Sequence, residues 1–506
     1  IVDYMVDESL KTYLTDVLVE QCSSLTKEDA EAGLELLFTF TDTEHPFKEH
    51  EKTVLVNAIY DITVLDPACG SGAFPMGMLQ KLVYVLEKLD TGHEQWRQRI
   101  LEDTPAPMKE DIRELLERSS ADFQWKLGLI QHCLYGVDIQ PIAVQVAKLR
   151  CFLSLLVDLP GSVDEYEDDV PPLPNLEFKF VPADTLIRPP SEIENQTNDF
   201  LFQDPFFEQF AQLAEDYFYA YDKKRKYQLQ QKIENLIDGK IKERLSRVDK
   251  EKRELEMQEQ SAEYEIEKER KAAEKQKRRI QAKIQVSKKE RELWESYRNI
   301  FVNRNGHVHF FDTPYFFPEV KNGFDIVLGN PPYIQIQKFP QEKKDEWQKQ
   351  GYKTYSSSGD IYCLFYERGF QLLGENGVLS YISSNKWMRA GYGDLLRDLL
   401  AEKAPKKLLD FGGFKVFEAA TVDTSIVVAQ NKERDNNLQA VHFKNDFSKD
   451  DDIKEYVNRN SISLNDITSD AWFIGTDTER KLKKKIEEIG TPLKDWDVKI
   501  YRGILT

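Results

Sequence analysis

The chain has 506 residues, 41% of them hydrophobic, and a formal net charge of −19 from 69 Lys and Arg against 88 Asp and Glu. That length predicts about three domains with more than one buried core, and no apolar run of roughly 18 residues marks a membrane span. So acidic a chain is a poor free-standing ligand for phosphate backbones, which are held by Lys and Arg; only the 222–298 stretch is distinctly basic, at roughly +7.

Ile1-Val2-Asp3-Tyr4-Met5-Val6 has neither an initiating Met nor a basic leader, so it is no signal peptide and reads as a cut into a longer chain. Cys22, Cys69, Cys133, Cys151 and Cys363 form no Cys-x-x-Cys pair. Neither a disulfide framework nor a zinc site is expected, and a reducing cytoplasm is the expected compartment.

Residues 1–60 read as helices, with apolar residues at helical spacing over Asp7 to Val19 and Ala30 to Phe40. A short strand, Ile62 to Leu65, then runs into Asp66-Pro67-Ala68-Cys69-Gly70-Ser71-Gly72, and a helix is predicted from Phe74 to Leu89. Leu134 to Val137 is a second strand ending in Asp138-Ile139-Gln140-Pro141, with a helix through Leu155. Glu177 to Val181 is a third, ending in Ala183-Asp184. Three strand-turn units in series predict a parallel α/β sheet.

From Phe202 to Tyr297 the texture changes to Lys, Glu, Arg and Gln, with sparse apolar residues at Leu229, Ile233, Leu236, Ile237, Ile241 and Leu245. This predicts a long helical pair or short coiled coil, a solvated hairpin inserted between two strands. Strands resume at Asp325 to Gly329, Gly377 to Ser383, Lys407 to Phe411 and Ser425 to Gln430, with helices at Ile361 to Leu373 and Tyr392 to Glu402. The expected fold is α/β: one doubly wound, seven-stranded Rossmann-like sheet with a helical N-terminal segment and a coiled-coil-like insertion. The expected divisions are 1–60, N-terminal helices; 61–201, a cofactor-binding half; 202–300, the insertion; 301–447, a catalytic half; and 448–506, a linker.

Glycines in the first turn let the backbone take positive φ and approach a ligand, and the helix that follows offers free N–H groups to an anion. An acid at the end of the second strand, Asp138, is placed for ribose hydroxyls, although it stands much farther from the glycines than the ~20 residues of dinucleotide folds. Asp184, ending the third strand, is placed to accept from an adenine amino group.

The fourth strand runs into Asn330-Pro331-Pro332-Tyr333. Two prolines fix φ and remove two N–H donors, which holds the Pro331 carbonyl in one direction beside the Asn330 amide oxygen. Two acceptors aimed at one point suit a planar NH₂ group, and Tyr333 adds a face for a flat base, worth about 1–3 kcal/mol in stacking.

Together, Asp66-Pro67-Ala68-Cys69-Gly70-Ser71-Gly72-Ala73-Phe74 and Asn330-Pro331-Pro332-Tyr333, in that order, resemble the cofactor and catalytic motifs of gamma-order amino-group DNA methyltransferases, above all the large adenine enzymes of type IIG restriction-modification and phage-exclusion systems. The resemblance implies S-adenosylmethionine as cofactor and double-stranded DNA as partner. It places the methionine part on Asp66, Ala68 and the Gly70–Gly72 turn, the ribose on Asp138 and Ile139, and the cofactor adenine on Asp184. Asn330, Pro331 and Pro332 would hold the target amine, and Tyr333 would stack on the flipped base. Phe417, in Val416-Phe417-Glu418-Ala419-Ala420, matches an aromatic that packs on the base. Lys386 and Arg389, in Ser383-Ser384-Asn385-Lys386-Trp387-Met388-Arg389, match a loop that can meet phosphates. Ile1 to Met5 resembles the second half of an N-terminal cofactor motif, and Tyr501-Arg502-Gly503 resembles the start of a target-recognition domain. No metal is called for, and no Asp…Glu-x-Lys nuclease cluster is recognised. Three rivals remain open: N4 of cytosine as acceptor, a protein glutamine amide, and a silent DNA-binding subunit.

Overall fold

The computed structural model describes the chain except residues 41–43, 159–175, 190–204, 219, 221–222, 265–269, 302–305, 418–421, 436–437, 445, 465–466, 492–494 and 497–506, together with scattered side chains in the long charged helices and that of Asp477. The Tyr501-Arg502-Gly503 segment lies outside the described residues.

Three helices open the chain, α1 (Val2–Gln21), α2 (Lys27–Phe38) and α3 (Glu49–Asp61). The first parallel units follow: β1 (Val64–Asp66), α4 (Ala73–Leu89), helices α5 (Glu94–Asp103), α6 (Lys109–Arg118) and α7 (Ala121–Gly128), then β2 (Leu134–Asp138), α8 (Pro141–Leu156) and β3 (Phe180–Pro182). After the charged helices come β4 (Phe324–Gly329), β5 (Leu373–Ser384), β6 (Ala404–Asp410), β7 (Thr424–Gln430), β8 (Leu438–His442) and β9 (Ile462–Leu464).

All seven predicted strands form, but among the described residues the sheet has nine, in the order β3-β2-β1-β4-β5-β7-β6-β8-β9. The seven-strand expectation is therefore corrected. Strand β8 adds parallel to β6, and β9 antiparallel to β8. Both are short, a Leu-Gln-Ala-Val-His beside β6 and a three-residue Ile-Ser-Leu at the sheet edge, too brief for a periodic signal. Strand β7 runs antiparallel to both neighbours, whereas β1–β2, β2–β3, β1–β4 and β4–β5 pair parallel. β7 is buried along its whole length, as a strand covered on both faces must be.

Strand order explains where a ligand would sit. The chain winds from β1 outward through β2 to β3, then returns to place β4 on the other side of β1. That reversal opens a crevice beyond the carboxyl ends of β1 and β4. Asp325 locks the two strands in register, its Oδ2 accepting from Thr63 N at 2.8 Å and Thr63 Oγ1 at 2.9 Å.

Helix α1 packs on α4, where a Cβ on Gly77 would stand 2.6 Å from Val2 Cγ1. The charged stretch forms two helices, Lys223–Tyr264 and Arg270–Phe301. They run antiparallel, since Arg298 pairs with Asp238 and Arg291 with Asp249. Leu229, Ile233, Ile237 and Ile241 are buried, and Leu236 and Leu245 are partly so. Among the described residues no helix is long and apolar enough to cross a membrane.

Candidate active site at the β1–β4 crevice

Asp66 ends β1 with 1% of its surface exposed. Its Oδ1 accepts from Ala68 N at 3.1 Å, and its buried Oδ2 has no hydrogen-bond partner among the described residues. Burial, with the charge of Asp138 adding to it, pushes the carboxyl up to about 8 against the opposing bond from Ala68. A buried acceptor without a partner costs about 1–3 kcal/mol, so the site is poised for a donor, and a cation most of all.

Gly70 and Gly72 take φ of +52° and +81°, the left-handed region that glycine alone enters freely. Gly72 also abuts α8, where a Cβ would stand 3.0 Å from Ala147 Cβ. Asp138 sets the turn from the side: Gly70 N–H donates to its Oδ2 at 2.9 Å and Gln140 N–H to its Oδ1 at 2.8 Å. Ile139 beside it is half exposed. Asp184, ending the β3 unit, accepts from Leu186 N through Oδ1 at 3.1 Å and from Lys343 Nζ through Oδ2 at 2.6 Å. Although burial opposes its charge, Asp184 and then Glu346 hold the Lys343 ammonium above its ordinary pKa.

At the end of β4, Asn330 is exposed and Pro331 buried. Tyr333 Oη donates to Asn330 Oδ1 at 2.5 Å, and a second contact reaches the Ile382 carbonyl on β5 at 3.2 Å. Burial raises the Tyr333 phenol above its usual range, so it stays a donor. Its ring stands edge-on to Tyr362, with centroids 6.3 Å apart. An amide oxygen has two acceptor sites; the hydroxyl orients the Asn330 amide and leaves one.

These two turns meet. A Cβ on Gly329 would stand 2.5 Å from Asp66 Oδ1, so the acid of the first turn lies against the residue before Asn330. A glycine inside a strand is a sign of close backbone approach, and that signal stood in the sequence unread. Nothing local marked Lys343 or Arg368. The latter is 3% exposed and donates to the carbonyls of Thr185 at 3.0 Å and Phe311 at 2.9 Å. Thr185 Oγ1 in turn donates to the Pro67 carbonyl at 2.7 Å, which ties the β3 end to the glycine turn.

Lys386 and Arg389 are exposed beyond β5. Arg389 lies 3.5 Å from Asp410 Oδ2, and the buried Asp410 is also held by Asn385 Nδ2 at 2.7 Å and His442 Nδ1 at 2.9 Å. Phe417 follows β6 and packs half-buried on the core. β6 is parallel to β5 through their shared antiparallel neighbour β7. Phe417 therefore shares the sheet edge of Asn330, with β5 and β7 in between. Glu418, Ala419 and Ala420 lie outside the described residues.

The family model of the Eco57I restriction-modification methylases matches residues 132–417, which contain Asp138, Asp184 and the whole Asn-Pro-Pro-Tyr turn. The chain belongs to that family. Among curated relatives, the type II restriction enzyme and methyltransferase RM.Eco57I of Escherichia coli is 32% identical over 172 residues, 33% of this chain and 16% of that protein. RM.MjaORFECS2P of Methanocaldococcus jannaschii is 24% identical over 423 residues, 77% of this chain and 32% of that protein. A solved structure of a nuclease-deletion mutant of the Type ISP restriction-modification enzyme LlaGI with a DNA substrate mimic aligns over 83% of this chain and 25% of its own, at 13% identity and a TM-score of 0.37. The chain thus spans less than a third of the length of each of these proteins.

Proposed function

We propose that this methylase-family chain transfers a methyl group from S-adenosylmethionine to the exocyclic amine of a base in double-stranded DNA, N6 of adenine, within a restriction-modification system of the type IIG kind. The observation that carries the reading is the contact of Asp66 with Gly329, because it sets a donor-seeking acid and a pair of amine-seeking acceptors side by side.

The cofactor fit rests on the unpartnered Asp66 Oδ2 and the two positive-φ glycines. Asp66, Ala68, Gly70 and Gly72 hold the methionine part, Asp138 and Ile139 the ribose, and Asp184 the adenine. When bound, S-adenosylmethionine supplies a methyl group on a positively charged sulfur. Asn330 Oδ1 and the Pro331 carbonyl accept the two hydrogens of the target amine and turn its lone pair toward that methyl. Pro332 keeps the turn rigid, and Tyr333 orients the Asn330 amide. Tyr333 and Phe417 border the flipped base, whose extrusion costs a few kcal/mol, and Lys386 and Arg389 face phosphates. The divisions at 60, 201, 300 and 447 are proposed as functional units on the same grounds.

Incubating the protein with methyl-labelled S-adenosylmethionine and mixed-sequence duplex DNA, then digesting to nucleosides, tests this. The expected label is on N6-methyladenine. Label on N4-methylcytosine would correct the base alone. Label found only in protein would overturn the DNA reading in favour of an amide acceptor.

A further inference from the structure

The loop that carries Asp184 is pinned along its length by the chain that follows the Asn-Pro-Pro-Tyr turn. That chain leaves the turn and returns to it, since Ile361 N–H donates to the Ile334 carbonyl at 2.9 Å and Ile336 N–H to the Gly359 carbonyl at 2.9 Å. The excursion between them reaches the end of the β3 unit. Tyr352 Oη donates to the Leu186 carbonyl at 2.9 Å. The Gln350 amide joins the main chain of Arg188 at both ends, accepting from its N–H and donating to its carbonyl at 3.2 Å each. On the other side, Asp184 N–H donates to the Val308 carbonyl at 3.0 Å. The backbone around Asp184 is thereby fixed from two directions.

Its side chain is set by a cation from the same excursion. The helix Gln341–Lys349 lies there, seated by Trp347, which is buried and edge-on to Phe339 with ring centroids 4.9 Å apart. This seating brings Lys343 Nζ to 2.6 Å from Asp184 Oδ2 and 3.2 Å from Glu346 Oε2. Asp184 is 6% exposed, and a charge so buried is costly unless it is paired. His307 also feels the charge of Asp184, but burial and then His309 hold its imidazole below the ordinary pKa, so it is neutral at pH 7. Lys343 therefore supplies the counter-charge. A carboxylate oxygen has more than one acceptor site. With Leu186 N–H on Oδ1 and Lys343 on Oδ2, the acid can still accept from a ligand.

We propose that Lys343 is a positioning residue that makes the Asp184 site select a 6-amino purine over a 6-oxo purine in the cofactor. The inference rests on the assignment of Asp184 to the cofactor adenine. An ionised Asp184 offers acceptors only, which match the N–H of an amino group and repel a carbonyl oxygen. A buried carboxyl that loses its counter-charge moves toward the protonated acid, which can donate as well as accept. A 6-oxo group then fits as well as an amino group. Because the excursion starts and ends at the Asn-Pro-Pro-Tyr turn, the element that holds the target amine also carries the residue that tunes the reading of the cofactor.

The probes are S-adenosylhomocysteine, the demethylated cofactor, and its inosyl analogue, in which a carbonyl replaces the 6-amino group, each titrated calorimetrically into the full chain at pH 7. The parent should bind the adenosyl compound roughly tenfold or more tightly, as one hydrogen bond to a charged group allows. Lys343→Met should weaken the adenosyl compound by roughly tenfold and leave the inosyl compound nearly unchanged, which brings the two to within about threefold. Lys343→Arg keeps the charge and should keep the preference. A preference that survives Lys343→Met, with both ligands weakened alike, would make Lys343 merely structural and overturn the proposal. So would a Lys343→Arg variant as indiscriminate as Lys343→Met. Either result leaves the cofactor reading standing. A parent that binds both compounds alike would overturn the proposal together with the assignment of Asp184, and a parent that binds neither would overturn the cofactor reading as well.

Discussion

The two turns that border the crevice are built from opposite materials. The turn after β1 uses glycines at φ +52° and +81°, so that bare backbone and a helix N-terminus approach a ligand. The turn after β4 uses two prolines, which withdraw N–H donors and leave carbonyl and amide oxygens. One turn presents donors around a single buried acid, and in the other the prolines carry acceptors without backbone donors. Their difference teaches how neighbouring strands can bring opposite hydrogen-bonding characters to one crevice with a minimum of side chains. What joins them is one steric fact, a glycine α-carbon against a carboxylate.

The largest expected effect tests the acid of the first turn. In the cofactor-free fold Asp66 titrates near 8 against an ordinary 3.8. Its folded pKa is raised, so folding keeps the proton while the unfolded chain releases it. Stability from this group is therefore complete below about pH 4, falls steadily to about pH 8 and is level above, a loss on the order of 5 kcal/mol. Asp66→Asn removes that slope. The gap in unfolding free energy between variant and parent should open from pH 4 to pH 8 in denaturant titrations. A gap constant with pH would mean that burial does not hold the proton on Asp66 in the cofactor-free fold.

Next comes the acceptor turn. Asn330→Ala should slow single-turnover methyl transfer by about a thousandfold, or ~4 kcal/mol, as removal of an oriented transition-state group does. Cofactor affinity, measured by calorimetry, should be unchanged. A variant with near-parental turnover would remove Asn330 from the chemistry.

Gly329→Ala tests the joint itself. The added methyl displaces the Asp66 carboxyl, costing about 1–3 kcal/mol of stability as overpacking does. Although the residue belongs to the acceptor strand, the loss should appear chiefly as weaker cofactor binding. If kcat alone falls, the two turns act independently.

Tyr333→Phe should do least. It removes the hydroxyl that orients Asn330 and keeps the ring, so a loss of roughly 1 kcal/mol in kcat with KM unchanged is expected. A rise in KM for DNA instead would make the tyrosine a binding rather than an orienting group.

Much of this was legible locally. Short apolar runs, three of them closed by Asp-Pro-Ala-Cys-Gly, Asp-Ile-Gln-Pro and Asn-Pro-Pro-Tyr, located seven strands, and positive φ at Gly70 and Gly72 follows from residue type. The buried positions Leu229, Ile233, Ile237 and Ile241 were visible as a helical stripe. These depend on residues within a turn or two of each other, where steric preference and periodicity act. The tertiary structure alone decided the rest. Strands β8 and β9 exist because the β6 edge was open to pairing, not because three to five residues carry a strand signal of their own. The Lys343 contact with Asp184 joins positions 159 apart, and the Asp66–Gly329 contact likewise gathers segments from across the chain. Such juxtapositions follow from strand order and from which groups burial deprives of water, and no window along a single sequence contains either.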